Sequence, residues 1–285
     1  MRILQWNVLN RPFDASKWNS EKWPALQSTI LSHEPQIVTL QEVPFFLAKD
    51  LDSKLGEIGW DSVCCSPVQD REDVCVVAWD TSRLIQADED GLHVTYEDKD
   101  IDAVTALLNP IDWTDPETGD LKLLTVTSYH GYWGALRQSA RMGELVKMNR
   151  EINELEADAS LMCGDFNAPR DEDSIRWLMG EYMGLRQNEA GRIVTETTFW
   201  NEAQEVAVAL GKKDKPEPTS LATGVAVETA APHGINIEHM PARRIDFLAS
   251  KGWSYGKRGG WTGDVLVEAH DDLSDHALLV ADVID

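Results

Sequence analysis

The chain has 285 residues, 42% of them hydrophobic, and carries 49 Asp+Glu against 26 Lys+Arg for a formal net charge of −23. Such a length fits one large α/β sandwich spanning 1–285 as readily as two smaller domains. The acidic balance excludes passive, counterion-driven binding to long nucleic acid, which needs clustered Lys and Arg, but not an enzyme that reaches a phosphodiester through a bound divalent cation, which inverts the local sign.

In chain order, residues 2–8 read as a buried strand ending at Asn7, with no basic leader before it. A loop holding Pro12 and Asp14 follows. Trp23, Leu26, Ile30 and Leu31 recur at helical spacing between Glu21 and His33, and Pro35 ends that helix. A second strand over 36–42 closes on the carboxylate of Glu42, and Pro44 opens a helix to about Leu55. Strands are predicted over 60–65, 74–79, 92–96 and 103–108. A polar hairpin over 112–120 leads to a strand over 121–128, which delivers Tyr129 and His130 to the Gly-bracketed loop 131–134. A long amphipathic helix is predicted from Ala135 to about Glu156.

An apolar run over 160–163 then meets Gly164-Asp-Phe-Asn167, and Pro169 forbids further strand. Residues i and i+2 of an extended chain point to one side, so Asp165 and Asn167 are expected to address one phosphate or water together. A helix is predicted over 174–180. Residues 201–242 lack strong periodicity and are expected to form a loop insertion, partly helical or mobile. Strands follow over 243–249, 265–269 and 277–283, the last opened by Ser274-Asp-His276. Cys64, Cys65, Cys75 and Cys163 form no C-x-x-C pair, so reduced thiols are expected. No apolar run is long enough to span a membrane, and the chain reads as a cytoplasmic, soluble monomer.

Polar residues fall at or just beyond strand ends at Asn7, Glu42, His130, Asp165, Asn167 and Asp275-His276, with Asp246 inside its strand. In sheet proteins, sites collect on loops that a rigid scaffold positions. The set and its order resemble the endonuclease/exonuclease/phosphatase superfamily, the DNase I-like fold. The resemblance rests on Leu4-Gln-Trp-Asn-Val8, Gln41-Glu42, Tyr129-His130, Gly164-Asp-Phe-Asn167, Arg244-Ile-Asp-Phe247 and Ser274-Asp-His276. It implies a four-layer α-β-β-α sandwich of two packed mixed β-sheets.

The resemblance further implies a Mg²⁺-dependent phosphoesterase, with Mn²⁺ as a substitute ion. Glu42, Asn7 and Asp275 would hold the ion. Asp165, oriented by Asn167, would take a proton from the attacking water or bind a second metal. His276, held by Asp246, would contact a phosphate oxygen or transfer a proton, and His130 would assist the phosphate or the leaving oxygen. The substrate expected is a nucleic-acid phosphodiester, with a small phosphorylated molecule or lipid head group as the alternative, and a non-catalytic binding protein on the same fold as the contrasting class. Two departures stand out. Leu278 takes the place of the proline expected two residues after His276, and the extended Cys-Asp-Arg block of inositol polyphosphate 5-phosphatases is missing.

Several other features carry a plain reading beside a functional one. Trp200, Tyr132 and Trp133 suit packing or loop anchoring as well as base stacking. Arg137 and Arg141 suit a solvated helix face as well as a phosphate contact. Lys212, Lys213 and Lys215 form a solvated loop or a small basic patch, and His233 and His239 lack the partners of a zinc site.

Overall fold

The computed structural model describes residues 1–8, 17–66, 73–87, 93–95, 101–132, 137–181, 184–187, 193–196, 200–220, 243–252, 260–270 and 273–283. The first half forms β1 (Arg2–Asn7), a π-helical turn (Trp18–Lys22) running into α1 (Trp23–Ser32), β2 (Ile37–Pro44), α2 (Phe45–Gly56), β3 (Trp60–Cys64), β4 (Asp73–Asp80), β5 (Leu84–Gln86), β6 (His93–Thr95), β7 (Asp102–Pro110) and β8 (Leu124–His130). The second half forms α3 (Gln138–Glu154), β9 (Ala159–Asp165), α4 (Asp173–Leu178), β10 (Gly184–Gln187), β11 (Ile193–Glu196), β12 (Asn201–Glu202), α5 (Ala203–Ala209), β13 (Asp246–Lys251), β14 (Trp261–Glu268) and β15 (Leu278–Val283).

One sheet has the order β14-β15-β1-β2-β4-β3 and the other β12-β13-β9-β8-β7-β5, with β6 also on β7; β10 and β11 pair separately. Each large sheet has one parallel pair, β1 with β2 and β8 with β9. Parallel neighbours need a crossover, usually helical, and the amphipathic stretches over α1 and α3 supply it. Trp23, Leu26 and Ile30 of α1 pack on the first sheet, in the cluster that also fills the space between the sheets. Leu145, Met148 and Ile152 of α3 pack with Met162, Phe166 and Phe247 on the second. Helices therefore cover both outer faces of the two-sheet sandwich.

The topology brings six chain positions to one end. Asn7, His130 and Asp165 end β1, β8 and β9, while Glu42, expected to close its strand, lies two residues before the end of β2, which continues through Pro44. Asp246 opens β13 directly opposite Asp165 in antiparallel register, and His276 precedes β15, which runs antiparallel to β1. Just beneath this end a polar seam joins the sheets. Gln5 Nε2 donates to Gln41 Oε1 (2.8 Å) and Asp246 Oδ1 (3.2 Å), and Gln41 Nε2 donates to Ser128 Oγ (2.9 Å). Buried amides need such partners, and these cross-sheet bonds set the depth of the site floor.

Some elements depart from expectation. Asp246 starts its strand rather than lying within it, because Arg243 pairs instead with Ser220. Part of the 201–242 stretch is ordered secondary structure: β12 pairs β13, and α5 is capped by Glu202, whose side chain accepts from the Glu205 amide at 2.8 Å. That helix is too short to show periodicity in its alanines and valines. Residues 221–242, with His233 and His239, lie outside the described residues, as does Trp133.

Candidate active site

The acid at Asp165 is reached by a strand that only glycine permits. Gly164 has φ 151°, and a Cβ there would lie 1.9 Å from the Tyr129 carbonyl oxygen on the neighbouring parallel strand. After Asp165 the chain leaves the extended conformation. Asn167 has φ 49°, so its side chain does not sit beside that of Asp165 as an extended i, i+2 pair. Its backbone N–H instead donates to Asp165 Oδ1 (2.8 Å), and its Nδ2 donates to the Gly131 carbonyl (3.0 Å). Gly131 in turn allows this approach, since a Cβ there would meet the Phe166 carbonyl oxygen at 2.4 Å.

Asn7 bridges the two sheets. Its Nδ2 donates to Glu42 Oε1 and to Asp165 Oδ2, both at 3.1 Å. Glu42 itself has φ 57° at a register shift between β2 and β4, a left-handed backbone of the kind concentrated at functional sites. His276 Nδ1 donates to Asp246 Oδ2 at 2.9 Å, while its Nε2 lies 3.7 Å from Asp165 Oδ2 and 3.9 Å from Asp275 Oδ1. His130 Nε2 lies 3.7 Å from Glu42 Oε1 and 3.8 Å from Asp165 Oδ2. All eight residues singled out in the sequence therefore belong to one contact network.

Burial and crowding set the protonation of this network. Burial is the main force raising the Asp165 carboxyl to about 6, aided by Asp246 and opposed by His276, His130 and the Asn167 amide. Burial works against a charge on His276, but Asp246, Asp165 and Asp275 outweigh it and hold that imidazole well above its usual range. Burial likewise opposes protonation of His130, and Asp102, Glu42 and Asp165 overcome it, raising the group to about 9. At neutral pH two imidazolium rings thus face an ionised acid with a strong hold on a proton.

The donor set suits a hard cation. Glu42, Asp275 and Asn7 offer carboxylate and amide oxygens, the ligands Mg²⁺ prefers. Asp275 Oδ1 is buried without a hydrogen bond among the described residues, and burial, with Glu42 close by, raises its carboxyl. An orphaned acid oxygen beside a second carboxylate is what a bound cation would relieve. Asp165, Asp246 and His276 also place one ligand atom each within 4.8 Å of one another.

Three supporting residues, Asp102, Thr219 and Lys22, were not singled out in the sequence, and a fourth, Ser274, entered only as part of a motif without a role. Asp102 opens β7 opposite His130 and places Oδ2 3.3 Å from His130 Nδ1, while its Oδ1 accepts from Cys65 Sγ at 3.3 Å. An acid one residue before an apolar strand was its only signal. Thr219 Oγ1 accepts from the backbone N–H groups of Ile245 (3.1 Å) and Asp246 (3.0 Å). Ser274 Oγ donates to the Asn7 carbonyl (2.7 Å) and accepts from the His276 N–H (3.1 Å). Lys22 is buried with its ammonium 4.5 Å from the Trp18 ring centroid. Burial lowers it to about 7 against the pull of Glu42 and Asp275.

The remaining candidates resolve into structural roles. Arg141 is buried against Glu172 and donates to the Tyr132 carbonyl (2.7 Å), and Arg137 lies over the Tyr132 ring. Trp200 is buried and donates from Nε1 to Asn149 Oδ1 (3.0 Å). Lys212 pairs with Asp264 at 2.8 Å and Lys213 with Glu217.

A family model described as the Endonuclease/Exonuclease/phosphatase family matches residues 4–276. No curated protein matches the sequence. Among solved structures the chain is similar to ANGEL2, a 2',3'-cyclic phosphatase, at 14% identity over 98% of this chain and 93% of that one, with a TM-score of 0.66. It is similar to D. rerio TDP2 complexed with single strand DNA product at 15% identity over 99% and 97%, with a TM-score of 0.61. It is also similar to a Bacteroides thetaiotaomicron mannosyl-6-phosphatase at 13% identity over 100% of both chains, with a TM-score of 0.60. At these identities the likeness is one of fold.

Proposed function

The chain belongs to the endonuclease/exonuclease/phosphatase family, and we propose that it is a divalent-metal-dependent phosphodiesterase that cleaves by in-line attack of water. The observation that carries this reading is the Asn7 bridge, which ties a carboxylate fit for a cation, Glu42, to a buried acid fit for a proton, Asp165. A Mg²⁺ ion held by Glu42, Asp275 and the Asn7 oxygen would supply Lewis-acid stabilisation of phosphate charge.

The chain's own groups do the rest. Asp165 Oδ1 is fixed by the Asn167 amide and Oδ2 by Asn7, which aims the carboxylate at the attacking water. A base that titrates at about 6 is ionised at neutral pH yet still able to hold the proton it takes, the balance general-base catalysis requires. His276, kept cationic and oriented by Asp246, donates from Nε2 to a phosphate oxygen. His130 Nε2, 3.8 Å from Asp165 Oδ2, donates to the leaving oxygen. Both imidazolium groups are strongest where charge develops, in a buried and preorganised setting.

Nucleic-acid diesters and small phosphoesters both suit this chemistry. The pairing of Arg141, Lys212 and Lys213 with acids, on a chain of net charge −23, favours a short or small substrate over a long duplex. The test is a panel of single- and double-stranded DNA, RNA, bis-p-nitrophenyl phosphate and p-nitrophenyl phosphate with Mg²⁺ or Mn²⁺. Turnover of the diester reporter and of short single strands is expected; activity confined to monoesters would remove the diesterase reading.

A further inference from the structure

A second cluster of ligating side chains lies outside the catalytic network, where α1 ends beside the end of β14. His33 caps α1, Glu268 closes β14, and His270 follows two residues later. His33 Nε2 lies 3.7 Å from Glu268 Oε2, and His270 Nε2 lies 3.1 Å from Glu268 Oε1. One ligand atom from each of the three falls within 4.8 Å of the others. Both Nε2 atoms are shielded from solvent, yet among the described residues neither has a hydrogen-bond partner. Two imidazole nitrogens converge on the two oxygens of one carboxylate, one too distant and the other too poorly aligned for a hydrogen bond. The side chains are not sealed in, being 15%, 40% and 19% exposed for His33, Glu268 and His270, so an ion has access.

We propose that His33, Glu268 and His270 form a binding site for a transition-metal dication, of which Zn²⁺ is the representative, with its fourth position open to water. Imidazole ligands select zinc-like ions over Mg²⁺. With metal–ligand distances of about 2.0–2.2 Å, two ligands of a tetrahedral ion stand roughly 3.4 Å apart, which the two observed separations bracket. Occupancy then requires the side chains to draw in from their present spread, within 4.8 Å of one another, onto one ion.

The site also touches the segment that presents Asp275 and His276. The His270 carbonyl accepts from the N–H groups of Leu273 (2.8 Å) and Ser274 (3.0 Å), and its ring lies 5.2 Å from that of Trp6. Trp6 donates from Nε1 to the His276 carbonyl at 2.9 Å. An ion at this point pins the end of α1 to the root of the segment carrying Ser274, Asp275 and His276. It acts as a brace and takes no part in phosphate chemistry.

The experiment combines anomalous diffraction at the zinc edge from Zn²⁺-soaked crystals of the whole chain with Zn²⁺ titration calorimetry in solution. An anomalous peak bonded to His33 Nε2, His270 Nε2 and Glu268 is expected. Calorimetry of His33→Gln and His270→Gln should each lose one Zn²⁺ equivalent relative to the unchanged protein, with Mg²⁺-supported turnover altered by less than about twofold. Both substitutions fall on partly exposed rings, and the peak in the unaltered protein stands as a separate readout. Anomalous density confined to the Glu42 and Asp165 region, or an unchanged Zn²⁺ stoichiometry in both variants, would overturn the proposal.

Discussion

The two parallel strand pairs, β1/β2 and β8/β9, reach the same end of the sandwich and arrive with different chemistry. The first pair presents Asn7 and Glu42, an amide and a carboxylate, and its Glu42 side chain stays 20% exposed. The second presents His130 and Asp165, whose side chains are only 9% and 2% exposed; Asp102 faces His130, and the Asn167 and Asn7 amides hold Asp165. A hard cation needs oxygen donors that water can reach. Burial raises a proton acceptor and, although it opposes charge on the neighbouring imidazoles, strengthens the carboxylate interactions that keep them cationic. In the proposed mechanism the same topological unit, used once in each sheet, separates an ion-holding half from a proton-handling half, with Asn7 as the bridge.

The largest expected effect falls on the proton-handling half. Asp165→Asn should lower kcat by about 10²–10⁴-fold, the range of a lost general base, with unchanged circular dichroism; near-normal turnover would remove Asp165 from that role. Next comes Asp102→Asn, which weakens the hold on His130. We expect a loss of about 10–100-fold in kcat, the scale seen when a group orienting a functional imidazole is changed, together with a shifted basic limb of the pH–rate profile. A loss confined to KM would contradict the assignment. Thr219→Val leaves the Ile245 and Asp246 amides without their acceptor and should cost about 1–3 kcal/mol of stability, read by urea unfolding, with Thr219→Ser restoring it.

A further effect concerns pH. His130 titrates at 6.5 when unfolded and at about 9 in the fold, so its charged interactions add stability that is fully present below pH 6.5 and is lost as pH rises through about 9. In metal-free protein, the stability gap between the unchanged chain and His130→Gln should therefore shrink across that window. A gap that stays constant from pH 6 to pH 10 would show that His130 is not held as a cation.

The strand-end residues were legible because hydrophobic periodicity stops at them, as at Glu42 and Asp165, and because their order along the chain resembles one family. The orientation of those residues was less so. Asn167 serves Asp165 through its backbone N–H, a role any residue type fills, and its left-handed φ leaves no mark beyond an asparagine. Asp102 and Thr219 act across strands whose pairing no local pattern specifies. Arg141 reads as a surface helix cation because its partner, Glu172, lies far along the chain and joins it only in the folded layer. The α5 helix escaped because its stability comes from one capping carboxylate and burial rather than from repeat spacing.

The division between the halves is tested most directly by measuring Mg²⁺ affinity by calorimetry in Glu42→Gln and Asp165→Asn alongside turnover. Glu42→Gln should bind Mg²⁺ about tenfold or more weakly, the least expected when a metal's donor set is disturbed, and recover part of its rate at high Mg²⁺. Asp165→Asn should bind Mg²⁺ nearly as the unchanged protein does and yet fail to turn over at any Mg²⁺ concentration. The reverse pattern, with Asp165→Asn losing the ion and Glu42→Gln retaining it, would contradict the account.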